Sequence, residues 1–438
     1  MRLYTFYVAA AAGIALSICS PNTGSAQSSS FAKGSVASQS SAKPVKKLKP
    51  PLVEEFLVRG RTQEGKQAVL EAMSLRPKDD QLRFALAIVQ ILQTLERFSQ
   101  DICYFGLQQT SDNTFHTPFI VIDIPRTSPH PISHEKFQKV IERAVSGFEE
   151  ADQTLSGIMD PDVELRLPIG LMQVDLDGDG RSGDKEMLWR IYQEIHHNPG
   201  IVKSNANSFV VNLDRGDVHW LRGYLNLITS VLDIYLAYDS RETFEFVAPV
   251  IFELVEGPPS YISGFKSVYP IDGGVLTVVD LVAGAHSLHW NVTDRKRLEK
   301  ALFKLETVIH QSRVSWKFIM AETDNDCEWL PNPRQKGIIP GMSVEYEMVE
   351  TWAGLMDELE LILQGELMVP FWRGEKTEYG INVRKLFLEP ITFDPIYWAQ
   401  GTAMRPYLQK GRLAKSDIWK RIERVFGDEY MNFAAWFN

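Results

Sequence analysis

Apolar positions along this chain recur mostly at helical spacing. Gly65, Val69, Ala72 and Leu75 share one face and Pro77 follows, which predicts a helix from about Glu64 that ends before the proline. A second helix is expected from Asp79 or Asp80, with Phe84, Ala87, Ile88, Ile91, Leu92 and Leu95 turned inward. Ser133 can cap a third, with Glu135 in its first turn and Phe137, Val140, Ile141, Ala144, Phe148, Ala151 and Leu155 as its buried stripe. Residues 220–238 form the most apolar stretch. Arg222, Asn226 and Asp233 within it point to a helix buried in protein rather than facing lipid, and Asp217 is placed to begin it. Residues 294–320, with Leu298, Leu302, Leu305, Ile309 and Trp316, predict a long amphipathic helix. Another is expected to open at Ser343 and close at Gly365, where a left-handed cap is wanted, and a last one covers about 417–426.

Strand signals are short and few. Residues 119–124 and 209–213 alternate, 383–388 is strand-like, and 163–174, interrupted by Pro168 and Gly170, is expected to be extended. The expected fold class is therefore mainly α, an irregular helical domain with a few short β-strands.

The N-terminal pattern changes the compartment. Arg2, a short apolar run over 8–18 and the small residues Gly24-Ser25-Ala26 make residues 1–26 an expected export signal, too short to span a bilayer. The chain is thus expected to be exported, periplasmic or secreted, with no transmembrane helix after signal removal. Lipidation at Cys19 is a variant of this, although Ile18 suits the position before a lipidated cysteine poorly. Residues 27–51, rich in Ser, Lys and Pro, are an expected disordered tether, 52–110 a helical hairpin, and 111–438 the main helical domain. Once the signal is removed, Cys103 and Cys327 remain; they could form one disulfide or stay as two thiols. A formal charge of −10 argues against nucleic acid as a partner.

The most specific chemistry lies in the run Asp175-Leu-Asp177-Gly-Asp179-Gly180-Arg181-Ser182-Gly183-Asp-Lys-Glu186. It resembles the twelve-residue calcium loop of the EF-hand family. The resemblance implies side-chain oxygens from Asp175, Asp177 and Asp179, the carbonyl of Arg181, a water held at Gly183 and a bidentate Glu186. Gly180 falls where the family's backbone turns sharply. Four carboxylates so close repel one another without a cation, which itself argues for an ion, and the resemblance makes calcium the expected cofactor. This chain departs from the family at Ser182, where an apolar residue is usual, and in its extended incoming segment. A single strand–loop–helix site is expected, with an exit helix from Lys185 to about His196. Separately, Gly65, Ala72 and Pro77 give the first helix pair a resemblance to the end of a tetratricopeptide repeat, covering little more than one repeat.

Other constellations are weaker. His286 and His289 would share a helix face and could ligate zinc; His196-His197 suits a helix C-terminus. Asp214 with Asp217, and Asp324 with Asp326 and Glu328, could serve acid–base chemistry if they met in one open cleft, or cap helices. Phe371-Trp372, Tyr397-Trp398 and Trp419 could stack on sugars or fill the core. The sequence contains no nucleophile elbow, phosphate loop or dinucleotide fingerprint. The expected function is an exported calcium-binding protein of the cell envelope or exterior, binding or structural in role, with an envelope polymer or protein as possible partner. The alternative is a carboxylate-dependent hydrolase of envelope or extracellular polymer.

Overall fold

The computed structural model describes residues 52–107, 129–181, 183–191, 202–257, 279, 282–339, 343–373 and 379–427. The expected export signal and tether, the strand expected at 119–124, Ser182 and the His196-His197 pair lie outside them. The architecture is mainly helical, with a few short strands in two small sheets.

Three helices open the described chain: α1 (Glu54–Val58), α2 (Thr62–Leu75) and α3 (Asp80–Tyr104). Asp79 starts α3, its Oδ1 accepting the N–H groups of Gln81 and Leu82 at 3.0 and 3.1 Å, as its sequence position suggests. Every residue from Phe84 to Gln90 is buried, so α3 is covered on all sides along this stretch. A one-sided stripe underestimates such a helix. It also overreaches at the margins, since Leu95 is 37% exposed and Leu75, the last residue of α2, is 85% exposed. Helix α4 (His134–Ser156) is capped by Ser133, whose Oγ accepts the Lys136 N–H. It lies so close to α3 that a Cβ on Gly147 would come within 2.4 Å of Thr94 Oγ1, so no side chain fits there.

Strand β1 (Leu165–Leu167) pairs antiparallel with β2 (Val211–Leu213), Leu165 opposite Leu213 and Leu167 opposite Val211. Helix α5 (Arg215–Leu236) follows β2 directly; α6 (Arg241–Ile251) and the long α7 (Arg295–Ala321) come next. Asp294 caps α7 through the N–H groups of Lys296 and Arg297. The charge expected to bury with the apolar helix does so in company. Asp233 of α5, fully buried, lies 2.6 Å from Lys304 Nζ and 2.9 Å from Arg297 Nη1, both on α7; Lys304 also reaches Glu149 of α4. Three helices are thus cross-linked by ions that would be costly to bury singly.

Helix α8 (Tyr346–Gln364) begins later than Ser343 and ends at Gly365 with φ 75°, the expected left-handed cap. Strands β3 (Val369–Pro370), β4 (Tyr379–Ile381) and β5 (Leu408–Lys410) form an antiparallel sheet in that order. Residues 383–388, expected to be strand-like, are instead helix α9 (Val383–Leu388). Asn382 decides this, its Oδ1 accepting the Lys385 N–H and starting a helical turn that overrides the strand preference of Val and Phe. Two further helices, α10 (Pro395–Gln400) and α11 (Ser416–Phe426), complete the chain's described part.

One apolar cluster runs without interruption from Val53 and Leu57 through α3 and α4 to β1, β2 and the start of α5, and includes Met172, Val174 and Leu176. A second joins α7, α8 and α11 around Trp316, Trp352 and Trp419. No described helix is long and apolar enough to cross a membrane. Cys103 and Cys327 do not share a disulfide; each carries a thiol.

Candidate metal site

The 175–186 loop leaves the core at Val174 and returns at Met187. Its coil is held from within. Asp175 accepts the N–H groups of Gly178 and Gly180 on its two oxygens, at 2.8 and 3.2 Å. Asp177 accepts the Asp179 N–H at 2.9 Å and Asp179 that of Arg181 at 2.7 Å. Glu186 ties the two ends together, its oxygens each 2.7 Å from a donor, the N–H of Leu176 on one side and of Gly183 on the other. These bonds wrap the backbone round a common centre. One oxygen from each of Asp175, Asp177 and Glu186 lies within 4.8 Å of the others, a group that can hold a metal ion.

Gly180 has φ 74° and nothing within 4 Å of where a Cβ would stand, so the reason for glycine there is backbone conformation alone. Gly178, at φ 79°, makes a second left-handed turn that the family pattern does not single out. Asp179 is not one of the converging three. Gly183 offers its carbonyl to the Glu186 N–H at 3.0 Å, and Arg181 is exposed. Asp184, within the loop's span, turns to Lys203.

The loop's exit differs from the helix expected from Lys185. Residues 184–186 form a 3-10 turn, Met187 is extended and pairs antiparallel with Gln173, and helical geometry begins only at Leu188. The cause is at the base of the loop, where Val174 N–H donates to the Glu186 carbonyl and Leu188 N–H to that of Met172. Two extended segments clasp each other, and a helix through Met187 would break both bonds.

Outside the loop, two side chains of α3 hold its first acid by the main chain. Glu96 Oε1 accepts the Asp175 N–H at 3.1 Å, and Gln100 Nε2 donates to the Asp175 carbonyl at 2.7 Å. Neither was legible in sequence, where Glu96 passes for a surface charge although it is 7% exposed. Burial, and then neighbouring acids, push the carboxyls of Asp175, Glu186 and Glu96 above their ordinary values. Two such charges about 4 Å apart repel by ~4 kcal/mol at an effective dielectric of 20. Only a cation relieves that while keeping the carboxylates ionised, and an all-oxygen donor set suits a hard one.

The other acidic residues meet elsewhere. Asp214 is the N-cap of α5, Oδ1 accepting the Gly216 N–H at 2.7 Å, and Asp217 accepts the Asp214 N–H at 2.9 Å. Beside them, at the end of α7, Glu322 hydrogen-bonds Asp214 through its side chain and accepts from Gln335 at 3.1 Å. Two carboxyl groups can hydrogen-bond only with a proton between them. Burial, followed by the Asp214 charge, pushes Glu322 up to about 10; burial pushes Glu328 to about 7 and Asp217 well above its ordinary value. Asp326 turns away to Arg166 at 3.0 Å, and Asp324 is exposed. The two acidic regions therefore do converge, joined by Glu322, but in a helix cap where Asp217 is 5% exposed.

The histidine pair does not form a zinc face. His286 lies within a short helical stretch at 282–287, whereas His289 lies beyond it, 3.1 Å from Asp394. The aromatic residues mostly pack: Trp419 is in the core, Trp398 stands edge-on to Phe393, and Trp372 donates to the Ala399 carbonyl. No known protein family, curated protein or solved structure matches the chain.

Proposed function

We propose that this is an exported protein of the cell envelope or exterior that binds one calcium ion in the 175–186 loop and uses it structurally, to lock that loop for a binding role. The observation that carries the reading is the convergence of the Asp175, Asp177 and Glu186 oxygens within 4.8 Å, in a sequence that resembles an EF-type loop. On that resemblance Asp179 joins them with a side-chain oxygen, Arg181 with its carbonyl, Gly183 through a water, and Glu186 binds in bidentate fashion. Calcium fits better than magnesium, because it takes six to eight oxygens in a flexible shell, whereas magnesium demands a near-ideal octahedron. Clasped extended segments at the base leave no pair of helices to open, which favours a fixed site over a sensor. The export signal expected at 1–26 supports the compartment, where calcium is plentiful and a weak site suffices. The hydrolase alternative is disfavoured because Asp214 and Asp217 cap α5, Asp214 shares a proton with Glu322, and Asp326 is paired with Arg166.

Thermal unfolding with calcium and with a chelator tests the proposal. Free calcium tenfold above its Kd stabilises the folded state by about 1.4 kcal/mol. The midpoint is expected to rise with calcium in the wild type and not in Asp175→Ala. An unchanged wild-type midpoint at millimolar calcium would overturn the reading. Fractionation of cells expressing the chain tests the compartment, with the periplasm or medium expected to hold it.

A further inference from the structure

We propose that Glu96 and Gln100 are positioning residues for the 175–186 loop, and that through them ion occupancy is felt by the N-terminal helices. This rests on the loop's being a calcium site. The two residues are one helical turn apart on α3 and therefore face the same way. Together they grip both main-chain polar groups of Asp175, one accepting from its N–H and the other donating to its carbonyl. That fixes where the first carboxylate of the loop starts, without either residue joining the group of converging oxygens.

The grip does not end at α3. The other oxygen of Glu96 accepts from Thr62 Oγ1 at 2.6 Å, at the first residue of α2, and Thr62 is 6% exposed. Just before the loop, the Gln173 N–H donates to the Leu57 carbonyl in α1 at 2.9 Å. Gly178 also lies against the Gln100 side chain, its Cβ position 3.4 Å from Cγ. Thus α3 reaches the loop directly, α1 reaches its entry, and α2 is linked to it through Glu96. With an ion present, the carboxylates are drawn inward and Asp175 stays under α3. Without it, Asp175 is pressed by Asp177 and Glu186 on one side and by the Glu96 carboxylate on the other, and its easiest escape is to leave the grip. Supporting groups around a metal centre are commonly worth 10- to 100-fold in affinity.

The test uses the full chain purified after export, with calcium alone as the probe. Calorimetry is expected to show binding about tenfold weaker in Gln100→Ala and in Glu96→Ala. Glu96→Gln keeps an acceptor for the Asp175 N–H and a polar partner for Thr62, so its affinity should stay within about threefold of wild type. Hydrogen exchange on the wild type needs no variant: chelation should speed exchange across 54–104 as well as across 173–188. Wild-type affinity in both alanine variants would overturn the positioning role. Equal losses in Glu96→Gln and Glu96→Ala would also overturn it, assigning the effect to charge. Faster exchange confined to 173–188 would overturn the coupling. A wild type that binds no calcium would instead bring down the metal reading on which all of this stands.

Discussion

Two clusters of acids lie in this molecule, and they are relieved by opposite means. In the 175–186 loop, Asp175, Asp177 and Glu186 point at one another with backbone N–H groups arranged behind them, so the space in front suits a cation. At the start of α5, Asp214, Asp217 and Glu322 are pressed together in a helix cap, and a proton does the work. The helix N-terminus offers some favourable field to the charges that remain. The lesson is that acidic crowding by itself says little. What separates the two is whether the donors leave the carboxylates facing one shared point, or are spent capping a helix.

The comparison can be broken at several places. The largest effect is expected from Asp214→Ala, which removes the cap of α5 and leaves the Glu322 acid without its partner. Together these cost about 2–4 kcal/mol by chemical denaturation, with the calcium response unaltered. A lost calcium response would show that the clusters are not independent.

Next comes the pH dependence, which should have opposite signs. Glu322 and Glu328 have folded values raised to about 10 and about 7. Stability from a carboxyl raised in the folded state is fully present below the unfolded value near pH 4.3, and is lost as pH rises through the folded one. In chelator, stability should therefore fall from about pH 5 to pH 9. Glu322→Gln, an amide that can donate to Asp214 without a shared proton, should flatten that fall. The stabilisation added by calcium should instead grow as pH rises from 4, because the ion needs ionised carboxylates. Melts at several pH values, with and without calcium, check both. The smallest effect belongs to Asp184→Asn. This acid lies in the loop's span but is paired with Lys203 at the surface, so stability should scarcely move and calcium affinity not at all.

Much of the helical framework was legible, because local chemistry fixes helix starts. Asp79, Ser133 and Asp294 each cap the helix their position suggests, and Gly365 ends one. The loop acids were legible for a similar reason, since their spacing and their bonds are local. What was not legible depends on contacts remote in sequence. Glu96 reaches Asp175 only because the loop lies against α3, and Glu322 reaches Asp214 only because α7 packs beside α5, and no periodicity reports either. The expected exit helix failed at Met187, where a bridge to Gln173 outcompetes local helix preference. Residues 383–388 failed through propensity, which one capping Asn382 reversed.

Gly180 carries a consequence about handedness. Its backbone sits in the region natural to mirror-image amino acids, and no atom lies within 4 Å of where an L-residue's Cβ would stand. A D-alanine introduced there by chemical ligation should meet no backbone penalty, whereas L-alanine should cost about 1–2 kcal/mol. Because the D-residue also narrows the conformations of the unfolded chain, the semisynthetic protein should be more stable than the natural one, by about 0.4–1 kcal/mol. At this point the coil of the 175–186 loop needs a chirality that ribosomal synthesis can approach only by using a residue with none.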